Sequence, residues 1–542
     1  MIGESLAEAV QMQRQFLLRR HQLPLILASC TILGLVLRIA MARRGGIWCD
    51  EAQLLWIVRI PTFNGMIDFL CHHESHPPLF YVLMRIWLGL FGDSETSALV
   101  LPVVLGVALI PAAYLVGDRV FSPPTGLIAA ILISVSPRLV GYSGMVRPYS
   151  LLSLLCLLST YLLWNALKGR GARTWVLYVL ATLAMLLTHN WAWMVLAAHW
   201  ILAACWGASR LGRPNRALVR SWALAQLALL ATYSPWMPFL VYQFRHAGYN
   251  AFPVDPIEVL ARFAEAAVSL PAQAAIPVCV VLIVAATWQV ARLSRTIVAR
   301  DAELRLSLLL FIGTPLLAFG AATVFSLKTF LLVPQCLTTI IPCVLVAIAF
   351  CVASLSSMPR VVTLVFTTIY LVFSLNDLGD MKSNSREAAA IVAARSLPTD
   401  LIVISPVWDA SSFNYYYTLD NTQSNYPHAE RRGAIDYDDL RDRVTDPRPI
   451  AAVRQRLVEA HRDRRRVWFV TERRISNDDV PDSDRLPLAL EFPGYTKVCH
   501  VRASQIRKQL NTLYGPPNTM AVPISRRALE DFHVSLYARE DQ

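Results

Sequence analysis

Between residues 22 and 376 the sequence returns repeatedly to nearly uninterrupted apolar stretches. Crossing the hydrocarbon core of a bilayer as a helix takes about 20 such residues. Inside lipid a backbone satisfies its polar groups only as a helix or a closed barrel, and runs of this length read as helices. Candidate spans fall at 22–42, 98–117, 124–140, 149–167, 174–188, 191–208, 218–240, 266–290, 304–325, 329–355 and 360–376. A further apolar run, Leu79 to Phe91, is short for a span and is read as a helix lying in the interface. Composition agrees: 16% of the chain is charged and 55% hydrophobic, where soluble domains carry about 25% charged residues. An ordinary cytosolic enzyme and a disordered chain are both excluded. The expectation is a polytopic α-helical membrane protein with about eleven spans.

The net charge of +12 invites a nucleic-acid reading, but its distribution points elsewhere. Residues 377–542 hold 24 Lys and Arg against 24 Asp and Glu, so the whole excess belongs to residues 1–376. Lys and Arg gather in cytoplasmic loops of membrane proteins. The connections with Lys168, Arg170 and Arg173, with Arg210, Arg213, Arg216 and Arg220, and with Arg292, Arg295, Arg300 and Arg305 are the basic ones. They share a side with the N-terminal Arg14, Arg19 and Arg20 only if 79–91 does not cross. The N-terminus is then cytoplasmic and residues 377–542 lie outside the cell (inner) membrane, with Arg43 and Arg44 running against the rule. The first span lacks a small-residue cleavage site and carries Arg38, so it reads as an uncleaved helix.

Two domains follow: 1–376 in the membrane, with a first outer loop at 43–97, and 377–542 outside. In the tail, Ser385 to Ser396 reads as a helix, Leu401–Ser405 and Arg466–Thr471 as buried strands, and Tyr495–Val501 as a third. Helices alternating with short apolar strands suggest a small α/β domain. The Arg462–Arg466 cluster reads as a solvated face or a contact to lipid headgroups. Cys49 and Cys71 bracket the first outer loop, where an oxidising compartment permits a bridge; spacing alone does not decide it.

Polar residues gather at the outer ends of the spans. Asp50-Glu51 follows the first span, and His72-His73-Glu74-Ser75-His76-Pro77-Pro78 precedes the interfacial helix. Arg147-Pro148-Tyr149 opens the fourth span, and Thr188-His189-Asn190 links the fifth and sixth. Tyr242, Arg245, His246 and Tyr249 occupy the next outer loop, and Lys328 stands where the ninth span meets the tenth. Each has a bland reading: loop charges for Asp50 and Glu51, a satisfied bundle histidine for His189, an arginine snorkelling to lipid phosphate for Arg147. Glu74, His72 and His73 are metal ligands by type, although Pro77 interrupts any helical pairing of His72 with His76. Ionisable groups at membrane depth are costly and tend to be functional. Six separated segments meeting on one face therefore suggest a cleft.

Leu37-Arg38, then Trp48-Cys49-Asp50-Glu51-Ala52, His76-Pro77-Pro78-Leu79 and Arg147-Pro148-Tyr149-Ser150-Leu151 together resemble the GT-C glycosyltransferases. The resemblance is to the branch (glycosyltransferase family 39/83-like) holding the protein O-mannosyltransferases, the lipid A aminoarabinose transferase and the Rgt-type lipopolysaccharide sugar transferases. It covers about the first 200 residues and the overall plan, a GT-C fold with outer juxtamembrane helices. It implies sugar transfer from a polyprenyl-phosphate donor to a glycan, lipid or protein acceptor on the outer side. Asp50 would then be the general base and Glu51 a supporting carboxylate. His76, Arg147, Tyr149, His189 and Lys328 would contact the donor phosphate. No cofactor is implied with certainty; the family leaves a divalent metal open. Membrane lipids are partners, and nucleic acid is not. A lipid transporter or flippase is the competing class, but it favours internal repeats and ionisable groups at the midplane. A purely structural partner leaves the Asp-Glu and Arg-Pro-Tyr convergence unexplained.

Overall fold

The computed structural model describes residues 23–208, 216–246, 302–326, 334–354, 382–427, 433–473, 494–523 and 530–539. The chain opens with α1 (Leu23–Ala42) and continues through α2 (Cys49–Val58), α3 (Phe63–His72) and α4 (Leu79–Phe91). Then come α5 (Glu95–Val120), α6 (Pro123–Val135), α7 (Pro137–Ser143), α8 (Tyr149–Leu167), α9 (Ala172–Leu186) and α10 (Ala192–Ala208). α11 (Arg216–Tyr233) runs through one 3-10 turn into α12 (Met237–His246). α13 (Ala302–Ser326), the single turn α14 (Pro334–Leu337) and α15 (Ile341–Ala353) complete the described apolar part.

Among the described residues six helices are long and apolar enough to cross a membrane, or seven if the bent pair α6–α7 counts as one span. The expected count of eleven is thus reproduced only in part. The 174–188 and 191–208 candidates form α9 and α10, helices of 15 and 17 residues that fall short of the usual spanning length. The 266–290 and 360–376 candidates lie outside the described residues. α4 has 13 residues, about 20 Å at 1.5 Å per residue, against a hydrocarbon core of about 30 Å. The long helices turn apolar side chains outward: Leu25 and Ile32 of α1 are 68% and 61% exposed, as lipid-facing residues are.

Inside the bundle, small residues let backbones approach closely. A Cβ on Gly117 of α5 would stand 2.7 Å from the Cα of Gly126 in α6, so neither position has room for one. Buried polar groups find partners across the bundle: Trp164 Nε1 donates to Ser307 Oγ at 2.9 Å, and Trp200 Nε1 donates to Gln226 at 2.7 Å. Where α8 ends, Lys168 forms an ion pair with Glu303 of α13.

The tail has a second hydrophobic core, built on a five-stranded sheet of order β2-β1-β3-β5-β4. β1 (Leu401–Ile404) lies parallel between β2 (Thr422–Asn425) and β3 (Val467–Glu472), and β5 (Phe532–Tyr537) pairs antiparallel with β3. The two-residue β4 (Asn518–Thr519) closes that edge. β1 is buried at every position and β3 at all but its last, as parallel strands covered on both faces are. The covering helices are α16 (Ser385–Arg395), α17 (Trp408–Tyr416), α18 (Tyr437–Thr445), α19 (Arg448–Arg462) and α20 (Gly494–Tyr514).

One expectation fails here. Tyr495–Val501 is the first part of α20, not a strand. Cys499, Ala503, Ile506 and Leu510 are buried, the spacing of a helix face. The third long strand is β5 instead. The arginine cluster also proves partly structural. Arg466 donates to buried Asp400 at 2.7 and 3.1 Å, and Trp468 Nε1 joins it at 2.8 Å. This clasps the starts of β1 and β3.

Candidate active site

The outer polar residues come together where the loops of the bundle meet the tail. α2 starts the site. Asp50 and Glu51 stand in its first turn, where the helix dipole favours negative charge. Neighbours on a helix diverge, and these two do so completely. Glu51 is fully buried and uses both oxygens. It accepts from Trp48 N–H at 3.2 Å, Val146 N–H at 2.6 Å and Lys382 Nζ at 3.0 and 3.2 Å. Asp50 points the other way, with its side chain 37% exposed.

Arg147 faces Asp50 from the turn before α8. Its Nη1 donates to the Asp50 backbone carbonyl at 3.3 Å. Its Nη2 stands 3.8 Å from Asp50 Oδ2, an ion-pair distance too long for a hydrogen bond. The Asp50 carboxylate is therefore oriented by a cation without being consumed by it. Arg147 is 5% exposed, and its Nε has no hydrogen-bond partner.

Behind Arg147 runs a polar relay. Arg147 Nη2 donates to His76 Nε2 at 3.3 Å, and His76 Nδ1 lies 2.8 Å from Glu74 Oε1. This network assigns the Nδ1–H tautomer to His76. Burial by itself would raise the Glu74 carboxyl. The hydrogen bond from His76, the charge of Arg147 and the Ser75 N–H outweigh it and hold the group at about 2. His189 packs its ring 4.9 Å from that of His76 and 6.2 Å from that of Tyr149. Its Nδ1 accepts from Trp191 N–H at 3.1 Å, which leaves the proton on Nε2. Burial, with His76 and Arg147 adding to it, pushes His189 well below the ordinary histidine range. It is a neutral donor in this site. The Tyr149 ring, 5.9 Å from the Arg147 guanidinium, closes one side.

Of the expected site residues, Asp50, Glu51, His76, Arg147, Tyr149 and His189 thus come together, while Lys328 lies outside the described residues. The metal-ligand candidates separate. His72 Nδ1 turns to Asp68, His73 Nδ1 lies 2.9 Å from Asp436 of the tail, and Glu74 belongs to His76. The described residues hold no group of three His, Cys, Asp or Glu side chains arranged for a metal ion. Cys49 and Cys71 are free thiols.

Sequence reasoning missed the tail's part in the site. Lys382 Nζ reaches Glu51 and also donates to Gly144 O at 2.9 Å. Gln53, one turn beyond Asp50, exchanges two hydrogen bonds with the Ile435 backbone, at 2.8 and 2.7 Å. Gly46 N–H donates to Ser383 O, Ser385 Oγ donates to Ile47 O, and Ile47 N–H donates to Tyr416 OH, each at 2.8 Å. Nothing in the local sequence around Lys382 signals a partner 331 residues away.

Comparison with known proteins adds two findings. Residues 75–238 match the family model for dolichyl-phosphate-mannose-protein mannosyltransferase. Curated protein sequences give no match. Among solved structures, ArnT from Cupriavidus metallidurans bound to undecaprenyl phosphate aligns over 95% of this chain and 98% of its own. Its TM-score is 0.57 at 10% identity. The apo state of ArnT from the same organism gives 0.55 at 11% identity over the same shares. The chain thus shares the fold of ArnT along nearly its whole length, and residues 75–238 carry the mannosyltransferase family match within it.

Proposed function

We propose that the chain is a membrane glycosyltransferase that moves a sugar from a polyprenyl-phosphate-linked donor to an acceptor hydroxyl. In this reading residues 1–376 are the catalytic membrane domain and residues 377–542 an extracytoplasmic domain. The site opens on the outer side of the cell membrane, and the N-terminus is cytoplasmic. The observation that carries the proposal is the pair formed by a half-exposed Asp50 carboxylate and buried Arg147, 3.8 Å apart. One group takes a proton, and the other holds a developing anion.

Asp50 removes the proton as the acceptor oxygen attacks the anomeric carbon. The bond from that carbon to the phosphate oxygen breaks, and its electron pair leaves with the lipid phosphate. Arg147, with His76 and neutral His189 beside it, stabilises that charge where it grows; preorganised donors in a dry site are worth most there. Tyr149 lines the same side, and Lys328 is assigned to the phosphate by its place in the sequence. Configuration inverts, because retention through a covalent intermediate needs a second carboxylate as nucleophile. Glu51 is the nearest candidate in sequence, and three donors already occupy it.

Asp50→Asn tests this on purified protein with a polyprenyl-phosphate sugar. Losing a general base costs about 10²–10⁴ in rate, and donor binding should remain. Full transfer by that variant overturns the assignment.

A further inference from the structure

Arg38 sits inside α1 with no exposed surface, and among the described residues its hydrogen bonds all go to backbone carbonyls. Those carbonyls show what it does. α6 ends at Val135, α7 begins at Pro137, and the two are bent by 56°. A proline has no N–H, so the carbonyl four residues before it, Ile133 O, loses its helical donor. A carbonyl left unsatisfied at membrane depth is costly. Arg38 Nη2 donates to Ile133 O at 3.2 Å. Its Nη1 donates to the next carbonyl, Ser134 O, at 3.2 Å and to Gly34 O of its own helix at 3.0 Å.

The surroundings are cut to fit this arrangement. A Cβ on Gly106 of α5 would stand 2.1 Å from Ser143 Oγ and 3.0 Å from Arg38 Nε. Only glycine there lets α7 and the guanidinium pass. The far end of α7 then delivers the site. Gly144 packs on the end of α1 (a Cβ there would stand 3.0 Å from Ala42 N), and Gly144 O accepts from Lys382. Val146 N–H binds Glu51, and Arg147 follows.

We propose that Arg38 is a positioning residue: its guanidinium supplies the donor that Pro137 lacks and sets the bend that aims residues 144–147 at Asp50. The inference rests on the reading of Asp50 and Arg147 as the reacting centre. Its test is a cycle on the full-length protein: Arg38→Met, Pro137→Ala, the double variant, and Arg38→Lys. Alanine at 137 restores an N–H for Ile133 O, so the arginine is needed less.

Arg38→Met should lower kcat about 10²-fold, the size of effect a small misplacement of reacting groups produces. The acceptor KM should barely move. In the Pro137→Ala background the same change should cost about tenfold or less, and Arg38→Lys, which keeps a cationic donor group, should retain more activity than Arg38→Met. The Tm loss from Arg38→Met should shrink in the same background. Equal losses in both backgrounds, in kcat and in Tm, would overturn the link to Pro137; wild-type kcat in Arg38→Met would overturn the positioning role. If Arg38→Met does not fold, the double variant and Arg38→Lys carry the comparison. If the wild-type protein transfers no sugar, the proposed function fails, while the Tm cycle still decides whether Arg38 serves the Pro137 break.

Discussion

Glu74, on the membrane side of the site, and Glu530, on the tail side, are both buried carboxyls, yet they hold opposite charge states. Burial acts on each in the same direction. Around Glu74 it is outweighed by His76, Arg147 and the Ser75 N–H, and the group stays ionised. Around Glu530, the hydroxyls of Ser383 and Ser412 donate at 2.6 Å, but Glu472 and Asp50 add like charge, and the group rises to about 8. Asp409 beside them is fully buried, and neither of its oxygens has a hydrogen-bond partner. Burial, then Glu472 and Glu530, raise it well above the carboxylate range. The neighbours, not the depth, decide whether a carboxyl here is charged. In the membrane half of the joint the carboxyls are matched by cations, and in the tail half burial and like charge hold Asp409 and Glu530 above the carboxylate range.

The sharpest way to break that contrast is to unbalance the buried Lys382–Glu51 ion pair, which bridges the two halves. Lys382→Met leaves the buried Glu51 side chain with only backbone N–H donors. Such a loss costs about 3–5 kcal/mol, and pairing it with Glu51→Gln should recover much of it. Thermal unfolding of the three variants in detergent measures this.

A smaller effect is expected at Glu74. Its folded value of about 2 lies below the ordinary 4.5, so its stabilisation is complete above 4.5 and is lost as pH falls through about 2. The linkage amounts to on the order of 2–4 kcal/mol at neutral pH. Glu74→Gln should therefore flatten the acid arm of a Tm-against-pH curve below about pH 4.5; an unchanged arm would remove the cationic set as the cause.

Glu530 should give the smallest change, with the opposite sign. Its folded value of about 8 lies above 4.5, so stability is greatest below 4.5 and falls as pH rises toward 8. Because buried Asp409 stands beside it as a second raised carboxyl, a single substitution removes only part of that slope, on the order of 1 kcal/mol. Glu530→Gln should raise Tm at pH 8 relative to pH 5. A steeper fall would contradict the raised Glu530 carboxyl.

How far the sequence carried differed between the same two regions. In the membrane part, Asp50, Arg147, His76 and His189 were legible because polar groups stand out against apolar runs. That Asp50 and Glu51 separate into a free and a fully engaged carboxylate follows from helix geometry, which puts adjacent side chains about 100° apart. In the tail, β1 and β3 showed as short apolar runs. Tyr495–Val501 misled because a brief apolar segment carries no period long enough to separate strand from helix. His72, His73 and Glu74, metal ligands by type, turn to Asp68, Asp436 and His76, because adjacency in sequence says nothing about where three side chains point.

By itself, then, the sequence determined that the chain lies in a membrane, how its charge is distributed, and which residue types gather at the span ends. Hydropathy and charge are properties of short segments and survive without a fold. Only the tertiary structure decided which of those residues meet. Lys382 finds Glu51 across 331 residues, Arg147 reaches Asp50 across 97, and Arg38 serves carbonyls 95 and 96 residues away. Such contacts depend on the path of the whole chain and on the bend at Pro137, and no local pattern encodes either.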